Sequence, residues 1–211
     1  MENRQYFAKD NDLLKSDPKI ITAKIGNLSL KFKTDIGVFS RNFLDYATKL
    51  LLEKMDFSQV NGAILDIGCG YGPVGIYANL LTKKEVVMID VNRRALELAK
   101  ENLHLNNACG KVIESDSLDA ILDQKFSMAI LNPPIHAGKI VIYKMFEQAY
   151  QVLDDFGEFW IVIQQKHGAP SAKAKLENIF EKVEIVYKKS GFYIIKCKKI
   201  SWLIEQNMLI L

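Results

Sequence analysis

The length, composition and charge of the chain exclude several classes of protein. The chain has 211 residues, of which 49% are hydrophobic and 25% are charged. These values suit one globular domain with a short extension, and they exclude collagen-like, low-complexity and disordered chains. The net charge of +3 identifies no partner, but residues 166–200 contain nine lysines and only three glutamates. Such a basic block either contacts a polyanion or forms a solvated face.

The cysteines and the first residues indicate the compartment. Cys69, Cys109 and Cys197 are an odd number and form no CxxC pair, so we expect no disulfide framework, no zinc site and no metal. No apolar run has the length that crosses a bilayer, and residues 1–6 lack the apolar segment of a secretory signal. These features predict a cytoplasmic protein without a membrane partner.

The first sixty residues predict a hairpin followed by a helix. Residues 20–32 alternate apolar and polar side chains around Gly26-Asn27, and both turn residues tolerate a positive φ. Ser40 is predicted to cap a helix whose apolar face extends from Phe43 to Met55. The polar stretch before Pro18 predicts no regular element.

From residue 63 onward, short apolar strands alternate with helices. This alternation predicts a parallel sheet that is covered by helices on both faces. Strands are predicted at 63–67, 85–90, 111–114, 126–131 and 158–164, helices at 76–81, 92–105, 118–122, 139–153 and 171–181, and a final hairpin at 183–187 and 192–198.

A glycine-rich loop follows the first of these strands and has the features of a ligand-binding turn. The segment from Ile64 to Gly75 reads Ile-Leu-Asp-Ile-Gly-Cys-Gly-Tyr-Gly-Pro-Val-Gly. Glycines let the backbone approach a ligand closely, and the following helix presents free N–H groups. Asp90 ends the next strand, where a carboxylate can accept hydrogen bonds from both hydroxyls of a ribose.

More than one ligand fits these features. The spacing Gly70-x-Gly72-x-x-Gly75, with Asp90 twenty residues after Gly70, matches the dinucleotide fingerprint, so an NAD-dependent dehydrogenase is one alternative. Asp66 disfavours a pyrophosphate and favours a ligand that carries an ammonium group. After the third strand, Ser115-Asp116-Ser117 can either contact an adenine or cap a helix.

The segment Asn132-Pro133-Pro134-Ile135 follows the fourth strand and indicates the chemistry of the site. Two prolines remove two N–H donors and fix the backbone, which leaves neighbouring carbonyls free to accept. With the side-chain carbonyl of Asn132, they form a rigid pair of acceptors for both protons of an exocyclic amine. Bonds to both protons turn the nitrogen lone pair toward an electrophile, so positioning supplies most of the catalytic effect. A proline-terminated strand without a catalytic role is the alternative.

Together these segments resemble class I S-adenosylmethionine-dependent methyltransferases, and more narrowly the RsmC-like methyltransferase small domain family, whose known members methylate guanine N2 in ribosomal RNA. The resemblance spans residues 20–199 and rests on Gly37-Val38-Phe39-Ser40, Leu65-Asp66-Ile67-Gly68-Cys69-Gly70, Asp90-Val91-Asn92 and Asn132-Pro133-Pro134-Ile135-His136-Ala137-Gly138.

The resemblance implies a fold and a domain organisation. The fold would be α/β, a Rossmann-like class I methyltransferase fold. Its mainly parallel seven-stranded sheet would carry a C-terminal antiparallel hairpin and an N-terminal hairpin-helix extension. The methyltransferase domain would span residues 61–200, with the extension at 1–60 packed on it. The apolar tail at 201–211 has no assigned role.

The resemblance also implies a role for each group of residues. The glycine loop would pass under the methionine part of S-adenosylmethionine, with Asp66 near the ammonium group and Asp90 on the ribose. Asp116 and Ser117 would meet the adenine, and Asn132 with the Pro133 carbonyl would hold the target amine. The implied cofactor-binding residues are Phe39, Ser40, Asp66, Gly68, Cys69, Gly70, Tyr71, Gly72, Asp90, Val91, Asp116, Ser117 and Asn132, and the implied catalytic residues are Asn132, Pro133, Pro134 and Ile135.

The implied reaction is methylation of an exocyclic amine of RNA, with guanine N2 as the favoured target and ribosomal RNA or a ribosomal subunit as the partner. Many relatives carry an aromatic residue after Asn-Pro-Pro, whereas Ile135 offers only apolar contact, so stacking on the target base must come from elsewhere or be weaker. The alternatives are a methyltransferase of small molecules or protein amides, an NAD-binding oxidoreductase and a non-catalytic RNA-binding module. The oligomeric state is left open.

Overall fold

A computed structural model describes residues 14–200. The first thirteen residues and the apolar tail at 201–211 lie outside the described residues, so the expectation for the tail stays untested. No helix within the described range is both long and apolar enough to cross a membrane. The strands are β1 (Lys19–Ile25), β2 (Leu28–Thr34), β3 (Ile64–Ile67), β4 (Val86–Asp90), β5 (Lys111–Glu114), β6 (Phe126–Leu131), β7 (Leu153–Gln164), β8 (Lys182–Lys189) and β9 (Phe192–Lys198), and the helices are α1 (Tyr46–Lys54), α2 (Pro73–Thr82), α3 (Arg93–Leu105), α4 (Lys139–Val152) and α5 (Ala169–Glu177).

Seven strands form one sheet in the order β5-β4-β3-β6-β7-β9-β8. Strands β3 to β7 are parallel, whereas β9 pairs antiparallel with both β7 and β8. The chain leaves β3 for β4 and β5 and then returns to place β6 on the other side of β3. This reversal opens a crevice at the carboxyl ends of β3 and β6. The predicted Rossmann-like fold, with its C-terminal antiparallel hairpin, is confirmed.

Successive residues of the central strands pack on opposite faces of the sheet. Ile64 and Met128 belong to the core that the hairpin and α1 to α3 cover, whereas Leu65 and Ala129 belong to the core beneath α4 and α5. Because both faces are covered, every residue of β3 and β6 is buried. This burial on both faces explains why the sequences of these strands are almost continuously apolar.

Strands β1 and β2 form the predicted N-terminal hairpin, but α1 starts later than predicted. Ser40 has a φ of 52°, and its hydroxyl donates to the Phe43 carbonyl, so Ser40 caps no helix. Asp45 is the N-cap, because its carboxylate accepts a bond from the Thr48 N–H at 2.8 Å. Phe43 lies in the preceding loop and is 69% exposed. The prediction of Ser40 as cap, with Phe43 on a buried helix face, is therefore wrong.

Several other boundaries also differ from the prediction, most of all those of β7 and α5. Strand β7 begins at Leu153, directly after α4, rather than at residue 158. Helix α5 ends at Glu177 rather than Glu181, and Gly168, with a φ of 91°, occupies its N-cap position. Because β7 is parallel to β6, the loop after β7 lies at the same edge of the sheet as the loop after β6.

Candidate active site

The glycine loop between β3 and α2 forms an open cradle at the crevice. Gly68, Gly70 and Gly72 have φ values of 66°, 55° and 95°, which residues with a Cβ rarely adopt. A Cβ at Gly68 or Gly70 would meet no atom within 4 Å, so the space beside them is open to a ligand. The Cys69 N–H donates to the Ile89 carbonyl at 2.9 Å and thereby ties the cradle to the end of β4.

Asp66 and Gly75 support the cradle from beneath. Asp66 is 2% exposed, and its Oδ2 accepts a bond from the Gly75 N–H at 2.9 Å. A Cβ at Gly75 would lie 2.4 Å from Met88 Sδ, so helix α2 can pack this closely on β4 only through glycine. Burial raises the pKa of Asp66 to about 7, with a smaller contribution from the Asp90 charge and against the lowering effect of the Gly75 bond. The contact of Asp66 with an ammonium group stays a prediction.

Asp90 at the end of β4 connects the cradle to α3. Its Oδ2 accepts from the Gly70 N–H at 2.8 Å, and its Oδ1 accepts from the Asn92 N–H at 2.9 Å. Burial raises the pKa of Asp90, although the bonds from Asn92 and Gly70 lower it. Each carboxylate oxygen can accept a further bond. Asp90 can therefore bind a pair of ribose hydroxyls while it fixes the loop.

The loop before α1 is held against the crevice by the start of α3. Asn92 Nδ2 donates to the Gly37 carbonyl at 2.9 Å, and Arg94 Nη1 donates to the Ile36 carbonyl at 3.0 Å. These bonds place the side chain of Phe39, which is 41% exposed, at the wall of the crevice.

The segment after β5 lines the same crevice. Ser115 Oγ accepts a bond from the Ala120 N–H at 3.1 Å, and the short helical turn Asp119–Ile121, found where a helix was predicted at 118–122, has no side-chain cap. Within residues 14–200, the Asp116 carboxylate accepts only from the Ser117 hydroxyl, at 3.2 Å. This arrangement favours a ligand contact for Asp116 over the helix-cap alternative.

The segment Asn132–Pro134 leaves the sheet beside the glycine cradle. Leu131 of β6 lies opposite Ile67 of β3, so both loops begin at the same edge. The Pro134 carbonyl accepts from the Ala137 N–H at 2.8 Å. No donor in the described part of the chain reaches the Pro133 carbonyl, which is left to accept from a ligand.

The Asn132 amide has a defined orientation. Its Nδ2 donates to Asp45 Oδ2 at 3.0 Å and to Thr48 Oγ1 at 2.9 Å. Both amide hydrogens are thereby used, and Oδ1, to which no described group donates, is an acceptor at the crevice. Sequence reasoning missed Asp45 and Thr48 because it placed the cap at Ser40. The spacing Asp45-x-x-Thr48, typical of a helix start, was the available signal.

These segments enclose a cavity of about 280 Å³. It brings together most of the predicted site residues, namely Phe39, Gly68, Cys69, Gly70, Tyr71, Asp90, Val91, Asp116, Ser117, Asn132, Pro133 and Pro134. The predicted residues that do not line it are Ser40, Asp66, Gly72 and Ile135, and Ile135 packs on the core beneath α4 instead. Ser115, from the segment predicted to contact an adenine or cap a helix, also lines the cavity. The lining residues that sequence reasoning missed are Leu44, Asp45, Pro73, Ile89, Asn92, Ala95, Ala137, Val141 and Met145.

The cavity fits the expected cofactor. The cradle leaves backbone space for the methionine part, Asp90 offers acceptors to the ribose, and the apolar walls at Val141 and Met145 suit a flat ring. Burial and the charges of Asp90 and Asp66 raise the pKa of the Cys69 thiol, which disfavours the thiolate that a nucleophile needs. A second, wider groove of about 740 Å³ lies between α1 and α2, away from every predicted site residue.

Comparisons with known proteins identify the family. The model of the methyltransferase small domain matches residues 29–196. The uncharacterized protein YbxB of Bacillus subtilis is 41% identical over 199 residues, which cover 93% of this chain and 99% of that protein. Ribosomal RNA small subunit methyltransferase C of Haemophilus influenzae is 37% identical over 131 residues, which cover 60% of this chain and 39% of that protein. The chain thus matches less than half the length of that second relative.

A solved structure supports the same assignment at the level of the fold. The 16S rRNA N2 G1207 methyltransferase (RsmC) of T. thermophilus, in complex with AdoMet and guanosine, aligns with a TM-score of 0.79 at 24% identity. The alignment covers 88% of this chain and 52% of that one. Because the family model matches most of its length, the chain belongs to the methyltransferase small domain family, and it is a class I S-adenosylmethionine-dependent methyltransferase of the RsmC-like type.

Proposed function

We propose that this enzyme methylates an exocyclic amine of RNA, and that the amine is N2 of a guanine in ribosomal RNA. The observation that carries the proposal is the pair of acceptors beside the glycine cradle, Asn132 Oδ1 and the Pro133 carbonyl, which no donor within residues 14–200 reaches. The names of the relatives in Haemophilus influenzae and T. thermophilus support ribosomal RNA as the substrate class. A ribosomal substrate would place the reaction in the cytosol.

Positioning of the target amine would explain how a weak nucleophile is methylated at this site. The cofactor supplies a methyl group that is electrophilic because it is bound to a sulfonium sulfur. The lone pair of guanine N2 is conjugated with the ring, which makes it a weak nucleophile. Bonds from both N2 protons to Asn132 Oδ1 and the Pro133 carbonyl would turn that lone pair toward the methyl carbon. Attack of the nitrogen on the methyl carbon would form the new N–C bond, the electrons of the S–C bond would go to sulfur, and one proton would leave the nitrogen for water.

Exposed basic side chains beside Asn-Pro-Pro, outside the set that lines the cavity, form a surface that suits an RNA backbone, and we call it the basic rim. His136, Lys139, Lys166 and His167 come from the segments that follow β6 and β7. The two segments are adjacent, because Lys139 Cε lies 3.9 Å from the place of a Cβ on Gly168. Burial, together with the positive charges of Lys166 and His136, lowers the pKa of His167. Phosphates of a bound strand would lie against this rim and orient the target base.

The lysine block at residues 166–200 offers fewer unpaired charges for contact with RNA than its composition suggested. Lys173, Lys175 and Lys196 pair with glutamates of this chain. Lys199 donates to the carbonyls of Tyr150 and Leu153. We therefore assign the RNA contact to the basic rim rather than to the whole block.

Mass spectrometry of nucleosides tests the proposal. Ribosomal RNA from cells with and without the protein is digested and measured, and we expect one N2-methylguanosine to disappear in the deletion. The wild-type protein and a control variant at an exposed asparagine, Asn61→Ala, should restore it, whereas Asn132→Ala should not. Loss of a different methylated nucleoside would overturn the guanine target. Unchanged levels of every methylated nucleoside would overturn ribosomal RNA as the substrate.

A further inference from the structure

The first turn of α1 contacts the catalytic amide, although α1 belongs to the N-terminal extension. Asp45 Oδ2 accepts three bonds: from the Thr48 N–H at 2.8 Å, from the Thr48 hydroxyl at 3.1 Å and from Asn132 Nδ2 at 3.0 Å. Thr48 Oγ1 accepts the second hydrogen of Nδ2 at 2.9 Å. Thr48 is only 6% exposed, so little water competes for these bonds. We call Asp45 and Thr48 the amide clamp.

The clamp accepts only one orientation of the Asn132 amide. The Thr48 hydroxyl gives its single hydrogen to Asp45, so its oxygen can only accept from Asn132. The Asp45 carboxylate is also purely an acceptor. A reversed amide would place Asn132 Oδ1 against these two acceptors and would present N–H donors to the cavity. An exocyclic amine is itself a donor, so the reversed amide could not hold it.

We infer that Asp45 and Thr48 are positioning residues, which act through Asn132 by fixing its Oδ1 toward the target amine, so that the N-terminal hairpin-helix extension completes the catalytic site. The inference rests on the proposed function, in which Asn132 Oδ1 accepts from the amine. It extends that function by making the orientation of the catalytic amide depend on a contact between residues 87 positions apart.

Helix capping is the competing explanation for Asp45, and substitutions can separate the two roles. Serine caps a helix as well as aspartate does, but its side chain is too short to reach Asn132, so Asp45→Ser keeps the cap and removes half of the clamp. Thr48→Val keeps the shape of the buried side chain and removes the oxygen that accepts from Asn132. Thr48→Ser retains the hydroxyl and is the matched conservative variant.

Steady-state kinetics with ribosomal RNA from cells lacking the protein tests the inference. We expect Asp45→Ser and Thr48→Val to lower kcat by about 10- to 100-fold, because the acceptor is no longer held in place, with little change in the KM for the cofactor. Thr48→Ser should restore most of the activity. In the Asn132→Ala background, Asp45→Ser should cause no further loss, since it acts only through the amide. Additive losses would show a merely structural role and overturn the inference.

A spectroscopic measurement makes the inference testable without turnover. The side-chain amide signals of Asn132, assigned by their disappearance in Asn132→Ala, are recorded by ¹⁵N NMR in the complex with S-adenosylhomocysteine. We expect two slowly exchanging N–H signals in the wild type and in Thr48→Ser, and faster exchange with changed shifts in Thr48→Val. Unchanged signals in Thr48→Val would overturn the clamp.

The kinetic outcomes also separate this inference from the proposed function. Full activity in Asn132→Ala would contradict the proposed role of Asn132, whatever the clamp variants do. Loss of activity in Asn132→Ala, together with an unchanged kcat in Asp45→Ser and Thr48→Val, would leave the proposed function standing and overturn the clamp.

Discussion

Asn102 of α3 binds both backbone polar groups of Lys33 at the edge of β2. The Lys33 N–H donates to Asn102 Oδ1 at 2.6 Å, and Asn102 Nδ2 donates to the Lys33 carbonyl at 2.9 Å. The same nitrogen donates to the carbonyl of Tyr71 in the glycine loop, also at 2.9 Å. One fully buried amide therefore joins the N-terminal hairpin, α3 and the cofactor cradle.

Removal of this amide should destabilise the fold. We expect Asn102→Ala to lower the free energy of unfolding by about 2–4 kcal/mol, because it leaves backbone groups of Lys33 and Tyr71 without partners. Asn106→Ala is the matched control, since Asn106 makes the same pair of bonds to Lys31 at an exposed position. Water can replace those bonds, so the control should lose about 1 kcal/mol or less. Equal losses in denaturant unfolding of the two variants would contradict this account.

Asp90 should carry much of the affinity for the cofactor. We expect Asp90→Ala to weaken binding of S-adenosylhomocysteine by about 10- to 100-fold in calorimetric titration, because it loses charge-assisted bonds to the ribose hydroxyls. Glu114→Gln is the control, since Glu114 lies opposite Asp90 in the register of β5 and pairs with Arg93 outside the cavity. Equal affinity of Asp90→Ala and the wild type for S-adenosylhomocysteine would show that Asp90 does not bind the ribose.

The sheet and the cradle were predictable from the sequence because their causes are local. Apolar strands and glycines that need a positive φ are recognisable within a few residues of chain. The clamp was not predictable, because Asn132 meets Asp45 across 87 positions, and Asp45-x-x-Thr48 has the same pattern whether it only caps a helix or also holds an amide. The sequence left the role of the basic block open for a similar reason: whether Lys196 faces solvent or Glu158 is decided by the packing of β7 on β9.

The buried carboxyl of Asp66 should make stability depend on pH. Its pKa is about 7 in the folded chain, mainly through burial, and lies near 3.8 when the group is exposed. Between these values the unfolded chain loses the Asp66 proton while the folded chain keeps it, so this group lowers the free energy of unfolding as pH rises. The slope for one group is at most about 1.4 kcal/mol per pH unit.

The variant Asp66→Asn tests this dependence. Its amide oxygen can still accept from the Gly75 N–H, and it has no proton to lose. Relative to the wild type, its free energy of unfolding should increase from pH 4 to pH 7 and then stay level. Parallel curves for the two proteins over that range, measured by denaturant unfolding, would show that Asp66 is already ionised in the fold.

The basic rim should contribute to the affinity for RNA and not to the affinity for the cofactor. We expect the double variant Lys139→Gln/Lys166→Gln to bind RNA more weakly and to reduce the slope of log affinity against log salt by about one for each phosphate that the variant no longer binds. Binding of S-adenosylhomocysteine should not change. The control Lys173→Gln/Lys175→Gln removes the same charge from lysines that pair with glutamates. An equal effect of both double variants would show that net charge, not the rim, attracts RNA.

Phe43 should supply the base contact that Ile135 does not. Phe43 is 69% exposed and lies two residues before Asp45, which contacts the Asn132 amide, whereas Ile135 packs on the core. We expect Phe43→Ala to raise the KM for RNA by about 10-fold because it removes stacking on the base, with the affinity for S-adenosylhomocysteine unchanged. Phe156→Ala, at an exposed phenylalanine near the start of β7, is the control. An unchanged KM in Phe43→Ala, or an equal rise in the control, would exclude Phe43 from the contact with the base.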